Sequence, residues 1–324
     1  MTPRARRATA LLTLNRMHPT EPRQSALTAL DDARTWLNSE PLTATSLRGR
    51  VVLVDFWTYS CVNWLRTLPY VSAWHERYRD RGLVVVGAHA PEFGFEHDLG
   101  NVRRAVAELG VRYPVVIDND FAVWRAFENH YWPAVYLVDG DGRVRFQHFG
   151  EEAYDETERA IQQALGVDEP IADVEAGGLS EAADWAGLHS PETYLGRERR
   201  DGRVDGHPRT LKLNRWALTG AWSVSGEAAK LGAAGGAIAY RFQARDVNLV
   251  LAPPAAGESV RFTVLIDGEP PGEHHGLDAD SSGAGTVFEP RMYQLVRRRG
   301  PAAESTFEIT FLDPGVHAYV FTFG

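Results

Sequence analysis

The fold of this chain is decided by residues 51–64, which read VVLVDFWTYSCVNW. Residues 51–57 are an apolar, β-branched run that predicts a buried strand, and the short turn after it ends at Cys61. This pattern places a thiol at the start of a helix, where free backbone N–H groups and the helix dipole favour thiolate over thiol. We therefore expect Cys61, the only cysteine in the sequence, to have a pKa below the roughly 8.5 of a free thiol.

Further motifs surround this turn. Asp55 lies six residues before Cys61, inside the apolar strand, and Pro69 lies five residues beyond Trp64. Residues 131–139 read YWPAVYLVD and predict a strand that opens at Pro133. The DGDG run at 139–142 predicts a tight hairpin turn after it.

Together these residues make the chain resemble the thioredoxin-like family. Its members carry Trp-x-x-x-Cys-x-x-Cys at such a turn; here Trp57 and Cys61 match, and Trp64 replaces the second cysteine. The resemblance implies that Asp55 is the buried acid of the central strand and that Pro133 is a cis-proline facing the thiol. The insert at 89–113 is similar to that of the redoxin branch, which includes TlpA-like proteins.

More narrowly, residues 56–61, 89–93 and 117–120 resemble the soluble C-terminal region of DipZ-type thiol–disulfide proteins. Those proteins normally have Cys-x-Asn-Cys, so Asn63 is kept and only the resolving cysteine is replaced. The likeness spans roughly residues 25–324, because those proteins end in a β-rich module similar to a carbohydrate-binding module. We expect no membrane span here, since no run approaches the roughly 20 apolar residues that one needs.

Composition limits the classes of function. The chain has 324 residues, 44% hydrophobic and 24% charged, as an ordinary globular protein has. The net charge of −9 argues against nucleic-acid binding. Residues 1–24 predict a disordered basic tail instead of a signal peptide, because Asn15-Arg16 stands where a small-residue cleavage site is required. We therefore expect a cytoplasmic location, although the resemblance also implies an extracytoplasmic one.

The order of strands and helices predicts three parts after this tail: an α/β thioredoxin-like domain at 25–166, a connecting segment at 167–209 and an all-β module at 210–324. In the first domain we expect strands at residues 51–57, 83–87 and 115–117, and helices near residues 61–79, 101–109, 122–127 and 155–165. Asp155 and Glu158 have the spacing of a capping box. Strands alternating with helices predict a mixed sheet with helices on both faces.

The module is predicted to be a β-sandwich of the jelly-roll type, because short alternating runs are separated by turns such as Asp267-Gly268. The resemblance to carbohydrate-binding modules implies a glycan or a protein partner at the sandwich. Exposed aromatic faces would favour a sugar, and exposed aliphatic patches would favour a protein. The module has aromatic residues for its core or for such a face: Trp216, Trp222, Tyr240, Tyr293 and Tyr319.

Cys61, Asp55 and Pro133 form the predicted catalytic set. Asp55 is expected either to tune Cys61 or to remain as an inherited core acid. The predicted substrate-binding residues are those expected to flank the thiol: Trp57, Asn63, Trp64, Trp132 and Glu92. Packing is the alternative for Trp57 and Trp132, and plain solvent exposure is the alternative for Glu92.

No metal or cofactor is predicted. The histidines lack partners at metal-ligand spacing, and no glycine-rich loop opens a helix after a strand. Acids such as Asp278 and Asp280 are only a weak indication of calcium in the module.

Three functions remain open at this point. The first is a monothiol oxidoreductase, in which Cys61 forms a mixed disulfide with a protein client and an external thiol resolves it. The second is a thiol peroxidase, because Thr58 and Cys61 have the peroxiredoxin Thr-x-x-Cys spacing; Val54, where that motif requires proline, argues against it. The third is a binding protein that has lost redox activity together with its second cysteine.

Overall fold

The computed structural model describes residues 25–199, 202–204 and 210–324. The predicted disordered tail at 1–24 lies outside the described residues.

The first domain is a mixed sheet with helices packed on it, as the sequence predicts. Its strands are β1 (Trp36–Leu37), β2 (Val51–Trp57), β3 (Leu83–His89), β4 (Val115–Ile117), β5 (Ala134–Val138) and β6 (Val144–Phe149). Its α-helices are α1 (Val62–Tyr78), α2 (Leu99–Glu108), α3 (Ala122–Ala126) and α4 (Tyr154–Leu165). The strand order is β1-β4-β3-β2-β5-β6, with β2, β3 and β4 mutually parallel and the remaining pairs antiparallel.

Strand β2 is central and buried on both faces, which explains its continuous apolar sequence. Because side chains alternate along a strand, Leu53, Asp55 and Trp57 share one face, and Leu53 and Trp57 pack in the same core as α1. Val54 and Phe56 face the opposite core. The sequence therefore directs the Asp55 carboxyl toward α1, the helix that begins after Cys61.

Local turn chemistry predicts one connection correctly and one helix cap wrongly. The DGDG run forms the β5–β6 hairpin, with Gly142 at a φ of +81° and its N–H donating to the Asp139 carbonyl at 2.9 Å. The expected capping box of α4 does not form, because Ala153 occupies the N-cap position and makes no side-chain bond. Glu158 is instead buried and accepts hydrogen bonds from Trp74 Nε1 (3.1 Å) and the Tyr78 hydroxyl (2.6 Å).

The C-terminal region is an antiparallel sandwich of two open sheets. Its strands are β7 (Thr193–Tyr194), β8 (Arg215–Thr219), β9 (Trp222–Val224), β10 (Ala229–Leu231), β11 (Ala237–Phe242), β12 (Asp246–Ala252), β13 (Val260–Ile266), β14 (Ala284–Val287), β15 (Arg291–Arg297), β16 (Ser305–Phe311) and β17 (His317–Phe323). One sheet has the order β15-β12-β17-β10-β9, with β7 also paired to β17; the other has the order β14-β13-β16-β11-β8. Strand β7 therefore carries part of the predicted connecting segment into the sandwich.

Short 3-10 helices connect several of these elements. They lie at Ala26–Asp32, Arg79–Arg81, Gly94–His97, Gly178–Ser180 and Gly272–His274.

The two domains are packed against each other through one sheet of the sandwich. Strands β12, β15 and β17 turn one face to the sandwich core, while Val250, Met292 and Val320 on their other face pack with the core of the first domain. Tyr319 lies against Phe93, with 5.0 Å between ring centroids. An ion pair joins Arg104 Nε to Glu289 Oε2 at 2.6 Å across the same interface. The sandwich thus supports the loop that follows β3.

Candidate active site

Cys61 stands at the turn between β2 and α1, as the sequence predicts. It is the N-cap residue of α1, with an extended backbone, and its side chain is partly buried. The Sγ atom lies 4.0 Å from the carbonyl oxygen of Trp132. That carbonyl belongs to the Trp132–Pro133 peptide, which is cis, so the thiol faces the loop that opens β5.

The expected depression of the thiol pKa is wrong. Burial raises the pKa of the Cys61 thiol far above its usual value, and the negative charges of Glu92 and Glu192 raise it further. Backbone N–H groups of Trp64 and Asn63 at the helix N-terminus act in the opposite direction. The helix effect used in the prediction is therefore present, but loss of solvation is larger.

Trp64, which replaces the second cysteine, is fully buried and cannot contact a client in this conformation. Its ring stacks on Trp57, which is also fully buried, with 4.2 Å between centroids. Both rings fill the core between β2 and α1, and substrate binding by Trp57 or Trp64 stays a prediction. Packing, which was the alternative for Trp57, explains the positions of both rings.

Asp55 lies beneath the thiol turn in contact with Trp64. Its Oδ2 accepts hydrogen bonds from Trp64 Nε1 and from the Tyr113 hydroxyl, each at 3.1 Å, while Oδ1 has no partner among the described residues. Burial raises the pKa of Asp55 to about 7, although both hydrogen bonds lower it. These contacts favour the interpretation of Asp55 as an inherited core acid over its interpretation as a group that tunes the reactivity of Cys61.

The predicted residues that remain beside the thiol are Asn63, Trp132 and Pro133. Asn63 is half-buried on the first turn of α1, and Pro133 is buried. Trp132 is half-buried and donates from Nε1 to the Ala90 carbonyl at 3.1 Å. Tyr131, which precedes it, exposes 51% of its surface. Tyr131 is not among the predicted site residues, although it stands directly before Trp132-Pro133 in the sequence.

Glu92, predicted to bind substrate, is used in a contact between distant parts of the chain. It accepts hydrogen bonds from the Tyr194 hydroxyl (2.6 Å) and from Arg199 Nη1 (2.7 Å). Glu192 also approaches the Tyr194 hydroxyl, with its Oε2 at 3.1 Å. The segment around β7 therefore brings a second carboxylate into the electrostatic surroundings of Cys61.

Glu96 is a buried acid that was not among the predicted site residues. Its Oε1 accepts from the Ser60 hydroxyl at 2.5 Å, and its Oε2 accepts from the backbone N–H groups of Glu92 (2.6 Å) and Phe93 (2.9 Å). Burial raises the pKa of Glu96 to about 7. The signal available was an acid directly after Phe95, in a loop that contains two phenylalanines. Glu96 ties the loop after β3 to the residue that precedes Cys61.

The aromatic residues named for the module are used mainly for packing. Trp216, Tyr240 and Tyr293 are fully buried, Tyr319 is 7% exposed at the domain interface, and Trp222 is half-buried. They therefore do not form the exposed aromatic face that sugar stacking requires.

The described residues contain neither a metal-binding cluster nor a membrane-spanning helix. Within residues 25–199, 202–204 and 210–324, no group of three or more histidine, cysteine or acidic side chains is placed to hold a metal ion. Asp278 instead pairs with Arg291 Nη2 at 2.7 Å. The described helices include none that is both apolar and long enough to cross a bilayer.

Comparison with known proteins gives matches along most of the chain. Residues 25–165 match the family model described as Redoxin, and residues 190–324 match the model described as Thioredoxin like C-terminal domain. Protein DipZ of Mycobacterium tuberculosis and that of Mycobacterium bovis are each 37% identical over 251 residues, which cover 72% of this chain and 35% of DipZ. The chain therefore spans about a third of the length of these relatives.

Smaller proteins match the first domain alone. Thiol-disulfide oxidoreductase YkuV of Bacillus subtilis is 30% identical over 136 residues, which cover 42% of this chain and 91% of YkuV. A thioredoxin-like protein whose solution structure was solved in the oxidised form is 31% identical. The match covers 43% of this chain and 92% of that protein, with a TM-score of 0.38.

Proposed function

Because the chain belongs to the thioredoxin-like family of thiol–disulfide oxidoreductases, we propose that it exchanges disulfides through Cys61 alone. The client is a disulfide-bearing protein. An external thiol, either a small molecule or a second cysteine of the client, completes the reaction.

The chemistry requires only one protein thiol. The Cys61 thiolate attacks one sulfur of the client disulfide, that S–S bond breaks, and the other client sulfur leaves as a thiolate and takes a proton from solvent. The external thiolate then attacks the client sulfur of the mixed disulfide. Cys61 leaves and is protonated, and the client is left bonded to the external thiol. A second external thiol releases the reduced client as the two external thiols become a disulfide.

One observation carries this proposal: Cys61 Sγ lies 4.0 Å from the Trp132 carbonyl, in the peptide that joins Trp132 to cis-Pro133. An extended client chain running along that loop would bring its sulfur to the thiol. Tyr131, exposed beside it, offers an apolar surface to the same chain.

The raised pKa of Cys61 sets the kinetic character of the proposed reaction. Little thiolate is present at neutral pH, so attack is slow. A thiol of high pKa is also a poor leaving group, so the mixed disulfide persists once formed. We therefore propose that Cys61 attacks its client slowly and that the mixed disulfide persists until an external thiol resolves it.

The experiment is to incubate the full chain with a peptide that contains one internal disulfide and to record intact mass. We expect an adduct of peptide mass on Cys61, none on Cys61→Ser, and release when a monothiol is added. In a parallel arm with hydrogen peroxide, oxygen addition to Cys61 followed by turnover would favour the peroxidase instead.

A second function, a binding protein without redox activity, is favoured by one specific observation. Trp64 fills the position of the resolving sulfur and is locked to Asp55, so the site is packed as core. Failure of Cys61 to form any adduct, with a folded chain, would establish this alternative over the first. A glycan or protein partner at the sandwich stays a proposal under either function, and so does the compartment.

A further inference from the structure

A cavity of about 200 Å³ lies beside the thiol site, at the junction of three segments. Helix α1 contributes Arg66 and Tyr70, the loop before α4 contributes Glu151 and Glu152, and the segment after the 3-10 turn at Gly178–Ser180 contributes Trp185. None of these residues is used in the proposed disulfide exchange.

The cavity has an aromatic wall. The rings of Tyr70 and Tyr154 stack with 3.6 Å between centroids and 10° between planes, and both line the cavity. Trp185 also lines it and exposes 49% of its surface. Among the described residues, no other tryptophan is as exposed as Trp185. A large ring held at a concave site is available for a ligand to stack on.

A buried cation completes the cavity. Arg66 is 3% exposed, its Nη1 pairs with Glu151 Oε1 at 3.0 Å, and its Nε is buried with no partner among the described residues. Because Nε has almost no accessible surface, Arg66 forms part of the cavity wall, where Glu151 compensates its charge. Exposed Glu152 supplies carboxylate acceptors at the same cavity.

We propose that this cavity binds a neutral, hydroxyl-rich ring such as one pyranose unit. The C–H face of such a ring stacks on Trp185, and the exposed carboxylate of Glu152 accepts from its hydroxyls. The Arg66–Glu151 pair makes the buried wall neutral overall, and the charge of exposed Glu152 is screened by solvent. The cavity therefore offers an aromatic face and hydrogen-bond acceptors without a strong net charge, which favours a neutral ligand.

The site is adjacent to the thiol but separate from it. Arg66 lies five residues after Cys61, which corresponds to about 7.5 Å along the axis of α1. The loop that carries Glu151 begins at Gly150, whose N–H donates to the Pro133 carbonyl at 2.8 Å. Binding of a ring can therefore be measured with no thiol chemistry, and the result does not depend on the proposed exchange reaction.

The test uses the full chain and methyl α-D-glucopyranoside, followed by saturation-transfer NMR and calorimetry. We expect saturation to reach the ring C–H protons, and Trp185→Ala to weaken binding roughly tenfold. Phe288→Ala removes an aromatic ring of similar exposure, 52%, from the sandwich and is the matched control that should change nothing. Glu152→Gln should weaken binding while the fold is kept, because the side chain is exposed.

Three results would overturn the proposal. One is the absence of binding by a chain that circular dichroism shows to be folded. Another is tighter binding of choline or of cyclohexanecarboxylate than of the glucoside. The third is glucoside binding that is lost in Phe288→Ala and kept in Trp185→Ala, which would move the site to the sandwich.

Discussion

The indole Nε1 of Trp64 donates a hydrogen bond to Oδ2 of Asp55 at 3.1 Å, inside a fully buried part of the core. In the family that this chain resembles, the position of Trp64 carries the resolving cysteine. The tryptophan therefore replaces a redox group with a structural contact to the acid of the central strand. That exchange changes both the chemistry and the stability of the site.

Trp64→Cys should restore a dithiol site at a cost in stability. Truncating a buried tryptophan typically lowers the free energy of unfolding by about 3–5 kcal/mol. The variant should reduce insulin with a dithiol reductant much faster than the wild type, whereas Trp64→Ser makes a similar cavity without a thiol and should not. Equal rates for the two variants in a turbidity assay would mean that the second sulfur cannot reach Cys61.

Asp55→Asn should reduce the pH dependence of stability. The folded-state pKa of Asp55, about 7, is above its unfolded value near 3.8, so the folded chain binds more protons between these values. Stability therefore falls as pH rises from about 4 to about 7, by about 4 kcal/mol for this group. Glu96, raised in the same direction, adds to the fall.

Urea unfolding at pH 5 and pH 8 measures this effect. The difference in unfolding free energy between the two pH values should be clearly smaller in Asp55→Asn than in the wild type. Asp141→Asn, at an exposed side chain, is the control and should leave the difference unchanged. An Asp55→Asn variant with the wild-type difference would show that Asp55 is ionised in the folded chain.

Alkylation of Cys61 should keep accelerating above pH 9, because burial and the Glu92 and Glu192 charges raise the thiol pKa. Rates of carbamidomethylation by iodoacetamide, followed by mass spectrometry, give the profile directly, since Cys61 is the only cysteine. The same chain in urea should show an inflection near the roughly 8.5 of a free thiol. An inflection below that value in the folded chain would restore the helix-activated thiol expected from sequence.

The isolated sandwich, residues 190–324, should fold but associate with itself. It retains its own core, which includes Trp216, Tyr240 and Phe321, yet it loses the cover over Met292 and Tyr319. Circular dichroism should show β structure, and light scattering should show oligomers that Met292→Lys reduces. A strictly monomeric wild-type module would mean that this face is stable in water.

Local patterns in the sequence predict the elements that place the thiol. Strands β2 and β4 have the predicted bounds, and α1 begins directly after Cys61, because strand propensity and amphipathic spacing are properties of neighbouring residues. The cap of α4 fails for the opposite reason: Glu158 is used by Trp74 and Tyr78, which are some 80 residues away. No spacing rule near Asp155 contains that information.

The site follows the same division. The Cys61, Trp132 and Pro133 arrangement was predicted from motifs that the resemblance identifies. The raised pKa of the thiol was not predicted. It results from burial and from Glu192, a residue more than a hundred positions later that β7 and its neighbours bring near Cys61. Trp57 and Trp64 were predicted on the client surface because spacing gives the order of residues along α1 and β2 but not the depth of each ring.

The sheet formed by β15, β12 and β17 has evolutionary consequences. All seven residues of β12 are buried, whereas β16 in the other sheet alternates buried and half-buried positions. A sandwich strand usually has one side on which mutations are nearly neutral, and β12 has lost that side to the neighbouring domain. Divergence among homologues should therefore accumulate on β13, β14 and β16, while β12 changes only when residues of the first domain change with it.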